Sequence, residues 1–161
     1  MSYYIRAFCT HGGLPPLRSI LGTAADRGTQ PTFDPPISDP TALEDSRWTE
    51  VVIEYKPNKS PISFEVNYPG APGDSLFGEE IAEFLQELED APRNRHRRFV
   101  EKHLKDTRFI VAARLPTSDI DDDGLAVVEF VLNFLVDYSG AIIQADGEGF
   151  YKGRKLIVEL Q

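Results

Sequence analysis

The chain has 161 residues, 41% of them hydrophobic, and a formal net charge of -9. That length and apolar content suffice for a single α+β domain over residues 1–161 and exclude disorder of the chain as a whole. The acidic balance excludes a general nucleic-acid binder, because such proteins gain affinity by neutralising phosphates.

Tyr3 to Cys9 reads as a strand. Arg6 interrupts its apolar run and no basic flank precedes it, so a signal peptide is not expected. Cys9 is the single cysteine, which excludes an internal disulfide and fits a reducing cytoplasm; its place in a strand makes it a small core residue rather than a nucleophile. Leu14 to Leu21 has the marks of a short helix, with Pro15 or Pro16 near its start and Gly22 past its end. Thr23 to Asp45 is rich in Pro, Gly, Thr and Asp and reads as an irregular excursion pinned by Phe33 and Ile37. A hairpin follows. Val51, Ile53 and Tyr55 alternate with Glu50 and Glu54, Ile62, Phe64, Val66 and Tyr68 alternate with Ser63, Glu65 and Asn67, and Lys56 to Pro61 turns the chain.

Residues 74–92 carry seven acids and no Lys or Arg, whereas residues 93–108 carry seven Lys or Arg and two acids. Both segments read as helices. Asp74 or Ser75 caps the first, whose stripe is Phe77, Ile81, Phe84, Leu85 and Leu88; Pro92 separates it from the second, with Phe99, Val100 and Leu104. The expectation is an antiparallel pair over 74–106 whose solvent faces attract each other. The competing reading gives Arg93, Arg95, Arg97 and Arg98 an anionic partner, although no aromatic residues interleave them for stacking on single-stranded nucleic acid.

Phe109 to Leu115 is a short apolar run closed by Pro116. Asp119 to Asp123 then sit where a helix N-terminus favours negative charge, Leu125 to Val136 recur at helical spacing, and Gly140 is a stop. That apolar stretch contains Glu129 and Asn133 and is too short to span a bilayer. Ala141 to Tyr151 and Lys155 to Leu160 read as two strands around the turn Lys152-Gly153-Arg154.

The first and last thirds thus share an element order. This predicts a pseudo-repeat, 3–68 and 109–160, about a pseudo-twofold axis and joined by the helical pair. The order resembles tandem strand-helix-strand-strand modules found in some small-ligand-binding bacterial proteins, a likeness of fold that carries little about function.

Chemistry is sparsely marked. Asp119-Ile120-Asp121-Asp122-Asp123-Gly124 matches the first half of a calcium loop, but the twelfth position is Phe130 where a bidentate Glu is required, so an EF-hand is rejected. Helix capping is the simpler reading, with an irregular cation loop as its competitor. Gln144 to Tyr151, if extended, turns Gln144, Asp146, Glu148 and Phe150 one way and leaves Ala145, Gly147 and Gly149 as a nearly bare face; a Gly-rich bulge or an Asp-Gly turn explains the same residues. If Phe109–Leu115 and Ala141–Asp146 are parallel strands joined by a crossover helix, Asp119 to Asp123 and Asp146/Glu148 become neighbours beyond the strand ends, where open sheets often bind ligands. The histidines, His11, His96 and His103, have no recognisable catalytic partner, Cys9 and His11 lack a third orienting group, and no phosphate-cradling loop is present.

The sequence therefore predicts an α+β fold with a mixed, mainly antiparallel sheet and helices largely on one face. The expected role is a noncatalytic acidic binding or regulatory module that recognises a protein partner, basic in character, or a small molecule. The binding residues expected are Asp146, Glu148, Gln144, Tyr151 and Asp121, with no catalytic residue, metal ligand, cofactor, nucleic acid or membrane assigned. The alternative is a metal-assisted hydrolase using the carboxylates of Asp146 and Glu148 as ligands or as an acid/base pair.

Overall fold

The computed structural model describes residues 2–24, 30–70 and 76–160. The capping expected of Asp74 or Ser75 lies outside them. Eight strands form one sheet: β1 (Ser2–Cys9), β2 (Thr32–Phe33), β3 (Glu50–Glu54), β4 (Ile62–Asn67), β5 (Phe109–Pro116), β6 (Ile142–Ala145), β7 (Gly149–Lys152) and β8 (Lys155–Glu159). Their spatial order is β2-β3-β4-β5-β1-β6-β7-β8, and every pairing is antiparallel. The helices are α1 (Leu17–Ala24), α2 (Pro40–Leu43), α3 (Leu76–Glu87), α4 (Arg95–Asp106) and α5 (Asp122–Ser139). The α+β class is as the sequence implies.

The two most apolar strands sit at the centre. β1 and β5 pair along their whole length, from Ser2 opposite Pro116 to Cys9 opposite Phe109. Successive residues of both are apolar, so both faces of the sheet require cover. On one face Ala7, Cys9, Ile53, Phe64 and Val111 pack with Ile20 of α1 and Val127, Val131 and Leu135 of α5. On the other, Phe8, Ile110, Ile142, Phe150 and Val158 pack with Phe84 of α3, Leu88 after it, and Val100 and Leu104 of α4. This corrects the expectation of helices largely on one face: the acidic and basic helices cover the second. Phe8, Phe84 and Phe150 meet there in a triad with ring centroids 5.6 to 5.9 Å apart. Phe99, expected in that core, is instead 37% exposed, and the Lys152 ammonium lies over its ring. Arg97 pairs with Glu101 and Lys102 with Asp106, contacts made within α4 rather than across to α3.

α5 carries the chain from β5 to β6, with β1 between them. Both flank β1 antiparallel and so run parallel to each other, as the crossover expectation requires. Asp121 caps the helix by accepting from Gly124 N at 3.0 Å, and Gly140 ends it at φ 62°. The loop after β1 closes over that end: Thr10 N and His11 N both donate to Ser139 O, which satisfies a carbonyl the helix leaves unpaired. At φ 62° a side chain on Gly140 would be strained, and its Cβ would press on the exposed His11 ring above it.

The halves traverse the sheet in opposite senses. After β1 the chain goes to the far edge at β2 and returns inward through β3 to β4; after β5 it enters beside β1 at β6 and moves outward to β8. A pseudo-twofold needs equal strand orders, so shared element order here does not carry the expected superposition. Within the long excursion Phe33 is buried and Ile37 packs on the core, as the sequence suggests.

Candidate binding cleft

Arg6 organises the site. It is the one charged residue of β1, on the same face as Phe8, and the register sets it opposite Gln144. Its Nη1 donates to Gln144 Oε1 and to Asp146 Oδ1, both at 2.7 Å. Gln144 is 4% exposed and completes the triangle by donating to Asp146 Oδ1 at 3.2 Å. The guanidinium carbon lies 5.2 Å from the Tyr4 ring centroid and 5.3 Å from that of Phe84, an arrangement suited to a planar cation. Asp146 is fixed by backbone as well: its amide donates to Tyr4 O, and Tyr4 N donates to its Oδ2.

α3 supplies the opposite wall. Glu80 approaches Arg6 Nε at 3.5 Å, yet Arg6 Nε and Glu80 Oε2 are both buried without a hydrogen-bond partner. Glu83 and Glu87 follow at helical spacing, and together these residues line a cleft of about 330 Å³ with Phe84 and Leu160. Four carboxylates share this lining with one guanidinium. Burial holds the Glu80 carboxyl above its ordinary value, with Arg6 and a hydrogen bond from Asn67 opposing, and burial followed by Glu83 raises that of Glu87.

The structure separates the residues the sequence had grouped. Asp146-Gly147-Glu148 is a turn between β6 and β7, so the single strand expected over Ala141 to Tyr151 becomes two. Glu148 N donates to Ala145 O, and Gly147 adopts φ 76° at the third turn position, where glycine is favoured. The turn sends the two acids to different places. Asp146 joins Arg6 on the α3 side, while Glu148 accepts from the Tyr3 and Tyr151 hydroxyls, whose rings pack against the α5-side core. Those two hydroxyl bonds, Tyr151 first, hold the Glu148 carboxyl below its ordinary value, and the bond to Glu148 raises the Tyr151 phenol. The bare backbone is explained by packing: a Cβ on Gly149 would lie 2.0 Å from Val158 O, so Gly149 admits β8.

Asp121 belongs to another group again. Lys56, in the turn after β3, pairs with Asp121 at 2.7 Å and Asp123 at 2.6 Å, and Asp119 accepts from Ser60 N and Oγ. The hydrogen bond from Lys56 is the main reason the Asp121 carboxyl titrates below its ordinary value. The loop is thus capped and partly counter-charged from within the fold, with Asp119 Oδ1 left buried and without a partner, and β1 lies between it and the Asp146 turn, so the expected convergence of the two acid groups does not form. Among the described residues no group of three or more His, Cys, Asp or Glu has the geometry to hold a metal ion.

Of the expected binding residues, Gln144 and Asp146 line the cleft; Glu148, Tyr151 and Asp121 do not. Sequence reasoning missed Arg6, Glu80, Glu83 and Glu87. A signal for Arg6 was present, because a lone charge inside an apolar strand must find a counter-charge when the strand is buried. Of the histidines, His103 bonds Phe8 O through Nε2 at 2.7 Å, and burial lowers its pKa. Cys9 is buried, its thiol pushed up by desolvation, and His11 is exposed over Gly140, so neither orients the other. Comparison with protein-family models, with curated proteins and with solved structures finds no match.

Proposed function

We propose that this chain acts as one noncatalytic binding domain whose acid-lined cleft receives a cationic group of a protein partner. The observation that carries this reading is the imbalance of charge in the cleft: the carboxylates of Glu80, Glu83, Glu87 and Asp146 line it together with the single guanidinium of Arg6. Desolvated carboxylates held above their ordinary range gain more from an arriving ammonium or guanidinium than solvated ones do. The overall charge of -9 adds long-range attraction for a basic surface. Among the described residues no helix is long and apolar enough to cross a membrane. The reduced, buried Cys9 suits the cytoplasm, where we place the chain.

A hydrolase built on Asp146 and Glu148 draws little support, because one carboxylate is committed to Arg6 and the other to two tyrosine hydroxyls. The test is a calorimetric titration with a short Lys-containing peptide, comparing the natural chain with Glu83→Gln/Glu87→Gln. Binding that weakens about tenfold or more in the double variant, with an unchanged melting temperature, supports the reading. Equal affinity for both proteins contradicts it.

A further inference from the structure

The cleft does not end at Glu87. Glu87 and Leu160 also line a second groove of about 580 Å³ between the α3–α4 junction and β8. It is lined by the apolar Ala91, Pro92, Ile157 and Val158 and by Glu87, Asp90, Asn94 and Glu159, and among the described residues the one guanidinium bonded beside it, that of Arg97, is engaged by the carbonyls of Ala91 and Glu89. β8 borders this groove and, among the described residues, has a single strand neighbour, β7. Leu160 N donates inward to Glu148 O at 3.0 Å, so Glu159, the residue before it, directs its own N–H and C=O away from the sheet. The opposite edge is unlike this one. β2 is two residues long, with Pro31 before it and Pro35 and Pro36 close behind, an edge that offers little to a further strand.

Resting on the cleft reading above, we infer that the partner presents an extended basic segment that adds to β8 as a ninth strand, its cationic side chains lying over the acids of the two connected grooves. Main-chain hydrogen bonds to an open edge give such a segment affinity, and pockets for alternate side chains give it specificity. An apolar lining beside carboxylates fits Lys and Arg, whose methylene stems bury while their charged heads stay at the rim. The bulge between the Phe150–Val158 and Tyr151–Leu156 pairs bends β8 at Ile157, and Lys155 marks its start. Both features discourage long edge pairing and confine addition to the few residues beside Glu159. A second copy of this chain fits less well, because pairing β8 with itself sets one acid groove against another.

The experiment is an amide-shift titration of the isotope-labelled protein with a capped peptide alternating Lys and Val. Two further peptides carry N-methyl groups on the Lys amides alone or on the Val amides alone. Strand addition uses one alternate set of peptide amides, so one N-methylated form loses about tenfold or more in affinity while the other binds as before. Shifts are expected at Ile157 to Leu160, Glu87 and Asp90. If both N-methylated peptides bind equally, side-chain charge alone is recognised; strand addition is then overturned while the cleft reading stands. Absence of saturable shifts at roughly millimolar peptide overturns both. Concentration-dependent dimerisation that the peptide does not compete away, with shifts at β8, would make the occupant a second copy and overturn the choice of a basic segment.

Discussion

The Asp119–Asp123 loop and the Arg6 cleft both concentrate acids, and they differ in what folding does with the charge. In the loop, Lys56 pairs with Asp121 and Asp123, Ser60 binds Asp119, and Gly124 N takes the other oxygen of Asp121. In the cleft, one guanidinium shares the lining with four carboxylates; each region keeps one buried oxygen without a partner, Asp119 Oδ1 in the loop and Glu80 Oε2 in the cleft, so the two differ in the balance of charge. A run of acids in sequence therefore says less about binding than the charge left over once the fold has supplied its own counter-ions.

The largest expected effect comes from the wall that only the cleft possesses. Phe84 packs on Phe8 and Phe150 beneath Arg6, so Phe84→Ala should cost about 3 to 5 kcal/mol as a core truncation. Denaturant unfolding measures this; a loss below about 1 kcal/mol would show that the triad is not core. Arg6→Leu comes next. It strands Gln144 and Asp146, and because Asp146 is 38% exposed and still reached by Tyr4 N, the expected loss is reduced to about 1 to 3 kcal/mol. An unchanged melt would mean that the Arg6 network does not order the cleft.

Lys56→Met asks the same question of the loop, and a small effect is expected because the pair lies at the surface. The Asp121 carboxyl is held low in the folded protein, so its contribution is present above its ordinary value and is lost as pH falls through the lowered one. The difference between the variant and the natural chain should accordingly be seen at neutral pH and vanish in acid. A difference that persists unchanged in acid would show that Lys56 acts through packing.

Glu80→Gln should have the smallest effect and the opposite sign. Its carboxyl is raised on folding, so the folded state binds more protons and stability falls as pH rises from the ordinary Glu value through the raised one. Removing the charge should leave stability at neutral pH equal or slightly higher and abolish that slope. A clear loss at neutral pH would mean that the 3.5 Å contact with Arg6 outweighs the burial of Glu80.

Parts of this fold are legible in the sequence through local chemistry. The capping of α5 from within Asp119 to Asp123 and the Gly140 stop follow from short-range rules and are observed, with Asp121 as the cap; the turn read over Lys152-Gly153-Arg154 is also there, narrowed to Gly153-Arg154 because Lys152 belongs to β7. Alternation places β3 and β4 correctly for the same reason. Long-range pairing is not legible. Nothing local says that β4 rather than β3 lies against β5, or that α3 and α4 cross to the second face. The Asp146 turn shows the boundary: its Asp-Gly pair is visible as a turn candidate, yet whether Glu148 shares a face with Asp146 depends on the register of β6 against β7. Arg6 is legible only as an anomaly, because its partners lie far along the chain in α3 and just past β6.

The most direct test of the cleft as a receiver of positive charge reads its carboxylates themselves. In a carboxyl-carbon NMR titration, Glu80 and Glu87 should titrate above the ordinary Glu value in the free protein and shift downward when a Lys-containing peptide is present, because an ammonium favours the charged form. By linkage the peptide then binds more tightly as pH rises through that raised range. Titration curves for Glu80 and Glu87 that do not move on saturating peptide would place the cation elsewhere and contradict the account.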